Sequence, residues 1–139
     1  MAVANNELQV KWATADSKSV AAAGGEPSDA IAFSATAFAA IITLKADNAA
    51  ETPADGDTVD FYLLLSAGDP DGAGTGAGGS EYPNDDSDGL FLAVLDTYAD
   101  DPSLATVAIP VGVACKIYGK SNASSNAIVV SACINEKTA

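Results

Sequence analysis

The chain contains no histidine and no arginine. A serine or cysteine nucleophile paired with an imidazole base is therefore excluded. Zinc would have to be held by two cysteines and carboxylates alone, an unusual ligand set. Basic charge is scarce: six lysines stand against nineteen acids, for a net charge of −13. Binding to phosphates needs lysine and arginine to displace counterions, so no nucleic-acid partner is expected. An anionic membrane surface is disfavoured for the same reason. No apolar run approaches the roughly 18 residues of a spanning helix. The N-terminus, MAVANNELQVKW, lacks the basic start and apolar stretch of a secretory signal. The chain is expected to fold in the cytosol that makes it. Aromatics are only 6% of residues, and alanine supplies much of the 48% hydrophobic content, so the core must rest on few large side chains.

What is present fits one domain spanning residues 1–139, long enough to bury a core. Asn6 to Ala15 alternates loosely and reads as a strand holding the single tryptophan, Trp12. Asp16 to Ala30 is small and polar and reads as a loop or arm, so residues 1–30 are expected to be a strand plus an arm. Ile31 to Ala40 fits helix or strand, because alanine suits either. Ala40 to Ala46 is β-branched and strand-like. Thr58 to Ala67 is the strongest strand: Val59, Phe61, Leu63 and Leu65 share one face at period two. Tyr62 and Leu64 share the other face with Asp60, which is expected to be partly covered. Leu90 to Ala99 reads as strand or short helix, Leu104 to Ser121 as two short strands, and Asn126 to Glu136 as the last strand. Short strands separated by turn signals predict an all-β fold. We expect an antiparallel β-sandwich, jelly-roll or immunoglobulin-like, with a long acidic glycine-rich loop at residues 68–89.

That loop invites three readings. Gly72, Gly74 and Ala77 fit a G-x-G-x-x-A string after a strand. A dinucleotide site also needs a helix to start there, and the segment GGSEYPNDD that follows brings a proline and acids instead. Asn84, Asp86, Asp88 and Gly89 match the opening of a calcium loop, but Leu95 stands where the bidentate glutamate belongs. Asp69, Asp71 and Glu81 lie nearby and offer further oxygens. The solvated acidic loop is the reading we prefer, with no metal and no cofactor expected and calcium as the minor alternative. Paired carboxylates of the glycosidase kind would need a larger cleft lined with aromatics, so we do not expect an enzyme.

The two cysteines are Cys115 and Cys133. Folding the last two strands as a hairpin about Ser124 sets these residues opposite each other, with Cβ atoms about 4.5–5.5 Å apart. That is close to bridging distance. Cytosolic thiols stay reduced, so two small buried thiols is the first reading. A disulfide formed later is the second, and a reactive or metal-binding pair the third.

Between Ala40 and Glu136 one pattern of residues stands out: Pro53, Gly56, Val59, Tyr62, Leu63 and Leu64 around the strongest strand, and Tyr82 and Pro83 in the loop. It continues through Ile109, Pro110, Lys116, Tyr118 and Lys120. In this pattern the chain resembles small tailed-bacteriophage virion proteins. The resemblance implies a structural β-sandwich of the capsid decoration (cement) type, located on the outer virion surface and assembled in the host bacterial cytoplasm. Its partners would be the major capsid protein and other copies of itself, as trimers in many proteins of that role. A tail, neck or fibre protein of the virion and a glycan-binding module are the alternatives. The stretch from Ala46 to Cys115 holds fourteen acids and no lysine. If the terminal strands are neighbours, one end of the domain is less acidic. That end, with Lys11, Trp12, Lys18, Lys116 and Lys120, is the expected contact with the capsid or a sister subunit.

Overall fold

The computed structural model describes residues 2–70 and 81–139. Ten strands are present among them and no helix. They are β1 (Ala4–Gln9), β2 (Lys18–Val20), β3 (Gly25–Pro27), β4 (Ile31–Ala32), β5 (Ala37–Asn48), β6 (Thr58–Ser66), β7 (Leu90–Asp96), β8 (Ser103–Ile109), β9 (Ala114–Ser121) and β10 (Ile128–Thr138). One sheet runs β1-β10-β5-β8, with β2 also paired to β10. The other runs β3-β9-β6-β7, with β4 also paired to β9. We call them the β5 sheet and the β6 sheet. Every pairing is antiparallel. Taking β1 with β2, and β3 with β4, as one broken strand each leaves eight strands in two sheets with jelly-roll connectivity.

The ambiguous alanine-rich stretch resolves as extended chain, because period-two burial decides it. Along β5 the inward side chains are Ala40, Ile42, Leu44 and Ala46, and the outward ones include Ile41, Thr43 and Lys45. β6 places Val59, Phe61 and Leu63 in the core, as the alternation predicts. β10 does the same with Ile128, Val130 and Ile134. Each large side chain taken from water contributes roughly 1.5–3 kcal/mol, and the few present converge between the sheets.

Three expectations are corrected. First, β9 and β10 are not a hairpin. β9 pairs with β6, β3 and β4, whereas β10 pairs with β5, β1 and β2. The SNASSN turn carries the chain across the sandwich, so Cys115 lies beside Leu65 and Ile31, and Cys133 beside Thr43 and Gln9. Second, residues 16–30 are not a free arm, since β2 and β3 lie in opposite sheets. Third, the first strand stops at Gln9. Trp12 and Ala15 then exchange backbone hydrogen bonds of 2.8 and 2.9 Å around a tight turn. Ala13 and Thr14 at its centre have φ of 48° and 71°, a left-handed conformation usually left to glycine or asparagine. The Asp29 carboxylate accepts both their N–H groups, at 3.1 and 3.0 Å. These bonds, Thr14 first, hold the Asp29 carboxyl below its ordinary range.

Buried carboxylates lock both ends of the body. At one end Asp57 accepts hydrogen bonds from Asn126 (2.7 Å), Asn48 (2.8 Å) and the Ala54 N–H (2.9 Å), while the Thr97 hydroxyl donates to the Asp57 carbonyl (2.7 Å). Three interstrand loops are thereby stitched to one residue. The Asn126 amide chiefly lowers the Asp57 pKa, with burial opposing it. At the other end Glu136, fully buried on β10, accepts from Asn6 of β1 and from the backbone and hydroxyl of Ser34. Burial pushes the Glu136 carboxyl up, but the Ser34 and Asn6 bonds outweigh it and leave the group below its usual range.

Candidate functional site

The residues singled out from the sequence do not gather at one place. Among the described residues, no three His, Cys, Asp or Glu side chains cluster so as to hold a metal. Asp86 instead forms an ion pair with Lys120 at 3.0 Å. Asp85 caps its own turn through the N–H and hydroxyl of Ser87. Asp69, Asn84 and Asp88 belong to the ends of the same long loop; Asp71, Gly72, Gly74 and Ala77 lie outside the described residues. Trp12, expected at a contact, is a core residue at 3% exposure. Lys11 is ion-paired to Asp16. Lys18 sits on β2, in the β5 sheet, whereas Lys116 and Lys120 sit on β9 in the β6 sheet. The terminal strands β1 and β10 are neighbours, but β9 belongs to the opposite layer, so the five residues do not share one surface.

The cysteines also part company. Both are free. Cys115 is buried in the core, and burial pushes its thiol up to about 12. Cys133 is half-buried, with its thiol raised by burial and then by Glu7. A thiol so protonated is a poor nucleophile and a poor metal ligand.

The outer face of the β6 sheet is aromatic and largely roofed. Cross-strand pairs set Asp60 beside Lys120, Tyr62 beside Tyr118 and Leu64 beside Lys116. The Tyr62 and Phe91 rings meet edge to face, with centroids 5.7 Å apart. The returning end of the long loop folds over this face. The Lys116 ammonium lies 4.7 Å from the centre of the Tyr82 ring, and Asp86 is tied to Lys120. Gly89 passes so close that a Cβ there would lie 2.9 Å from Leu64 and 3.0 Å from Tyr62. Leu64 is buried in consequence, which gives the expected cover for this face.

The two lateral edges of the sandwich are built differently. On one side β1 to β4 are short, interrupted by turns, and carry Glu7, Lys18, Glu26 and Pro27. On the other side lie β7 and β8, seven residues each. Among the described residues β8 pairs only with β5, and β7 only with β6. β8 carries no charge, and the one charge on β7, Asp96, caps the following turn by accepting the N–H groups of Tyr98 and Ala99. Along this side Leu104 is 60% exposed, Phe91 53%, Leu90 51% and Val94 51%, with Tyr98 exposed between the two strands. Edge strands are normally protected by charge, proline or brevity. The sequence held the signal, since LFLAVL and LATVAI are uncharged runs in a chain of net charge −13. What it did not show is that both runs form edges on the same side.

No protein-family model and no curated protein sequence matches this chain. Among solved structures, similar folds include the C-terminal CBM6 of LamC, a laminarinase from Zobellia galactanivorans, at 11% identity and a TM-score of 0.48, covering 94% of this chain and 99% of that one. A mutant of CBM29-2 complexed with mannohexaose is 8% identical, with a TM-score of 0.39, covering 96% and 80%. The CBM22-1 xylan-binding domain of Paenibacillus barcinonensis Xyn10C is 7% identical, with a TM-score of 0.38, covering 97% and 93%. At these values the architecture stands on the strand pairings themselves, and the function has to be argued from the residues.

Proposed function

We propose that this chain is a non-catalytic structural protein of a tailed-phage virion, which decorates the outer capsid surface by adhering to the lattice of the major capsid protein. One observation carries the reading: large apolar side chains exposed along the β7 and β8 edges of an otherwise strongly acidic domain. Exposed apolar side chains concentrated on two neighbouring edge strands mark a protein-binding surface. Acidity elsewhere keeps free copies soluble and repels DNA. Salt screens exposed charges beyond about 8–10 Å, so apolar contact supplies the holding energy at the lattice. The resemblance of residues 40–136 to small virion proteins points the same way. The test is copy number in purified particles. Hundreds of copies per virion are expected, and a dozen or fewer would move the chain to the tail or neck.

A second reading, glycan binding, rests on the margin of the roofed face of the β6 sheet, where Phe91 is exposed beside half-buried Tyr62 and Tyr118, with Asp60 as a polar neighbour. Aromatic rings flanked by polar groups suit the faces of sugar rings. Calorimetry against a panel of oligosaccharides separates the two. Binding that is abolished by Tyr118→Ala favours the module, and no binding at millimolar sugar favours the lattice.

A further inference from the structure

We propose that β8 pairs with β8 of a second copy, antiparallel about a two-fold axis at Thr106, which would join two β5 sheets into one. The proposal deepens the adhesive reading, on which it rests, by assigning a partner to one of the two open edges. Reversed about its centre, SLATVAI sets side chains of matching character opposite each other at its inner positions, with Ser103 facing Ile109 at the two ends. Residues whose numbers sum to 212 then face each other across the axis. Leu104, the most exposed apolar side chain on the strand, meets Ala108, a large group against a small one on the same outer face. Ala105 meets Val107 on the core side, where both already pack partly against the interior. Thr106 meets its own copy, and within the chain it already forms a threonine pair with Thr43 at 3.1 Å.

Charge selects the direction. Copies of net charge −13 repel one another over most of their surface, and β8 offers a full strand without charge. Asp100 and Asp101 lie just before the strand, and uncharged Pro110 to Val113 follow it. Antiparallel pairing therefore sets the acids of the two copies at opposite ends, separated by at least the strand length, roughly 20 Å and beyond the screening distance. Parallel pairing would bring all four together. Pro102 and Pro110 bracket the strand and confine the ladder to its seven residues.

The full chain is studied by sedimentation equilibrium, and a reversible dimer is expected. Thr106→Asp sets two carboxylates directly opposite and should weaken dimerisation by about tenfold or more. The side chain of Thr106 is exposed and its one bond, to Thr43, lies at the surface, so the variant should stay folded and melt only slightly below the parent. In a Cys133→Ser background, Thr106→Cys brings two thiols near bridging distance across the axis. Mild oxidation should then give a covalent dimer, while the same change at Ser131, on β10, should not. A monomer at about 100 µM overturns the pairing. So does a closed trimer, or a dimer indifferent to Thr106→Asp that fails to cross-link at position 106. Particle copy number is read separately. Soluble dimers that never decorate particles would sink the capsid assignment and leave the pairing intact, and decoration by monomers would do the reverse.

Discussion

One lateral edge of this sandwich is closed to pairing by interrupted, charge-bearing strands, and the other, among the described residues, is left open by two unbroken, nearly uncharged ones. On the closed side the first quarter of the chain turns sharply, contributes four short strands, and fixes them with polar anchors. Asp29 holds the left-handed turn, Glu136 holds β1 and Ser34, and the buried Trp12 fills the gap between the layers. On the open side two full-length strands end both sheets with apolar side chains in solvent. The contrast separates an edge anchored by internal polar bonds from one that exposes apolar side chains.

The largest effect that sharpens this contrast belongs to the closed side. Trp12→Ala removes a buried aromatic and should destabilise the fold by about 3–5 kcal/mol, read from the urea midpoint. If the loss were below about 1 kcal/mol, the closed edge would not be structural. Asp57→Ala follows. It strands the Asn48 and Asn126 amides and the Ala54 N–H, at a cost of about 2–4 kcal/mol. Because Asp57 ties loops from both layers, it should loosen both edges alike in hydrogen exchange.

Acid should then tell the edges apart. The Glu136 and Asp29 carboxyls have lowered folded-state pKa values. Their contribution is therefore complete above the unfolded carboxylate value of about 4 and is lost as pH falls toward the folded values. On acidification, β1 amides should lose exchange protection before those at the centre of β5, which is paired on both sides, by β10 and by β8. Simultaneous loss would sink the idea that Glu136 anchors this edge. Asp29→Ala should lower the urea midpoint by less than Trp12→Ala, with Asp29→Asn recovering part of it. The smallest stability effect is expected from Leu104→Ser on the open edge, within about 0.5 kcal/mol. Its consequence should appear in self-association or particle binding instead. A large loss of stability with unchanged association would reverse the assignment of the two edges.

Much of the architecture is legible in the chain. Alternation along Val59 to Leu65 marks a strand and its inward face, and the scarcity of basic charge narrows the partner classes. The acidic segment also reads as a loop, because glycine and aspartate leave little to bury. Other features resist. The turn at Ala13 and Thr14 lacks the glycine or asparagine that would announce it, because its strain is balanced by Asp29, fifteen residues away. Asp57 looks like one more solvated aspartate, yet three donors converge on it from distant loops. The paired cysteines fail because a short polar turn describes equally a hairpin and a crossing between sheets.

By itself the sequence determined which residues face inward, that strands rather than helices bury them, and that the surface is acidic. These follow from side-chain period and charge, which are local properties. Only the tertiary structure decided which strands are neighbours, which edges remain open, and that Cys115 and Cys133 lie in separate layers. Strand pairing joins residues far apart in the chain, and an alternating pattern states which face is buried without naming the partner across the ladder.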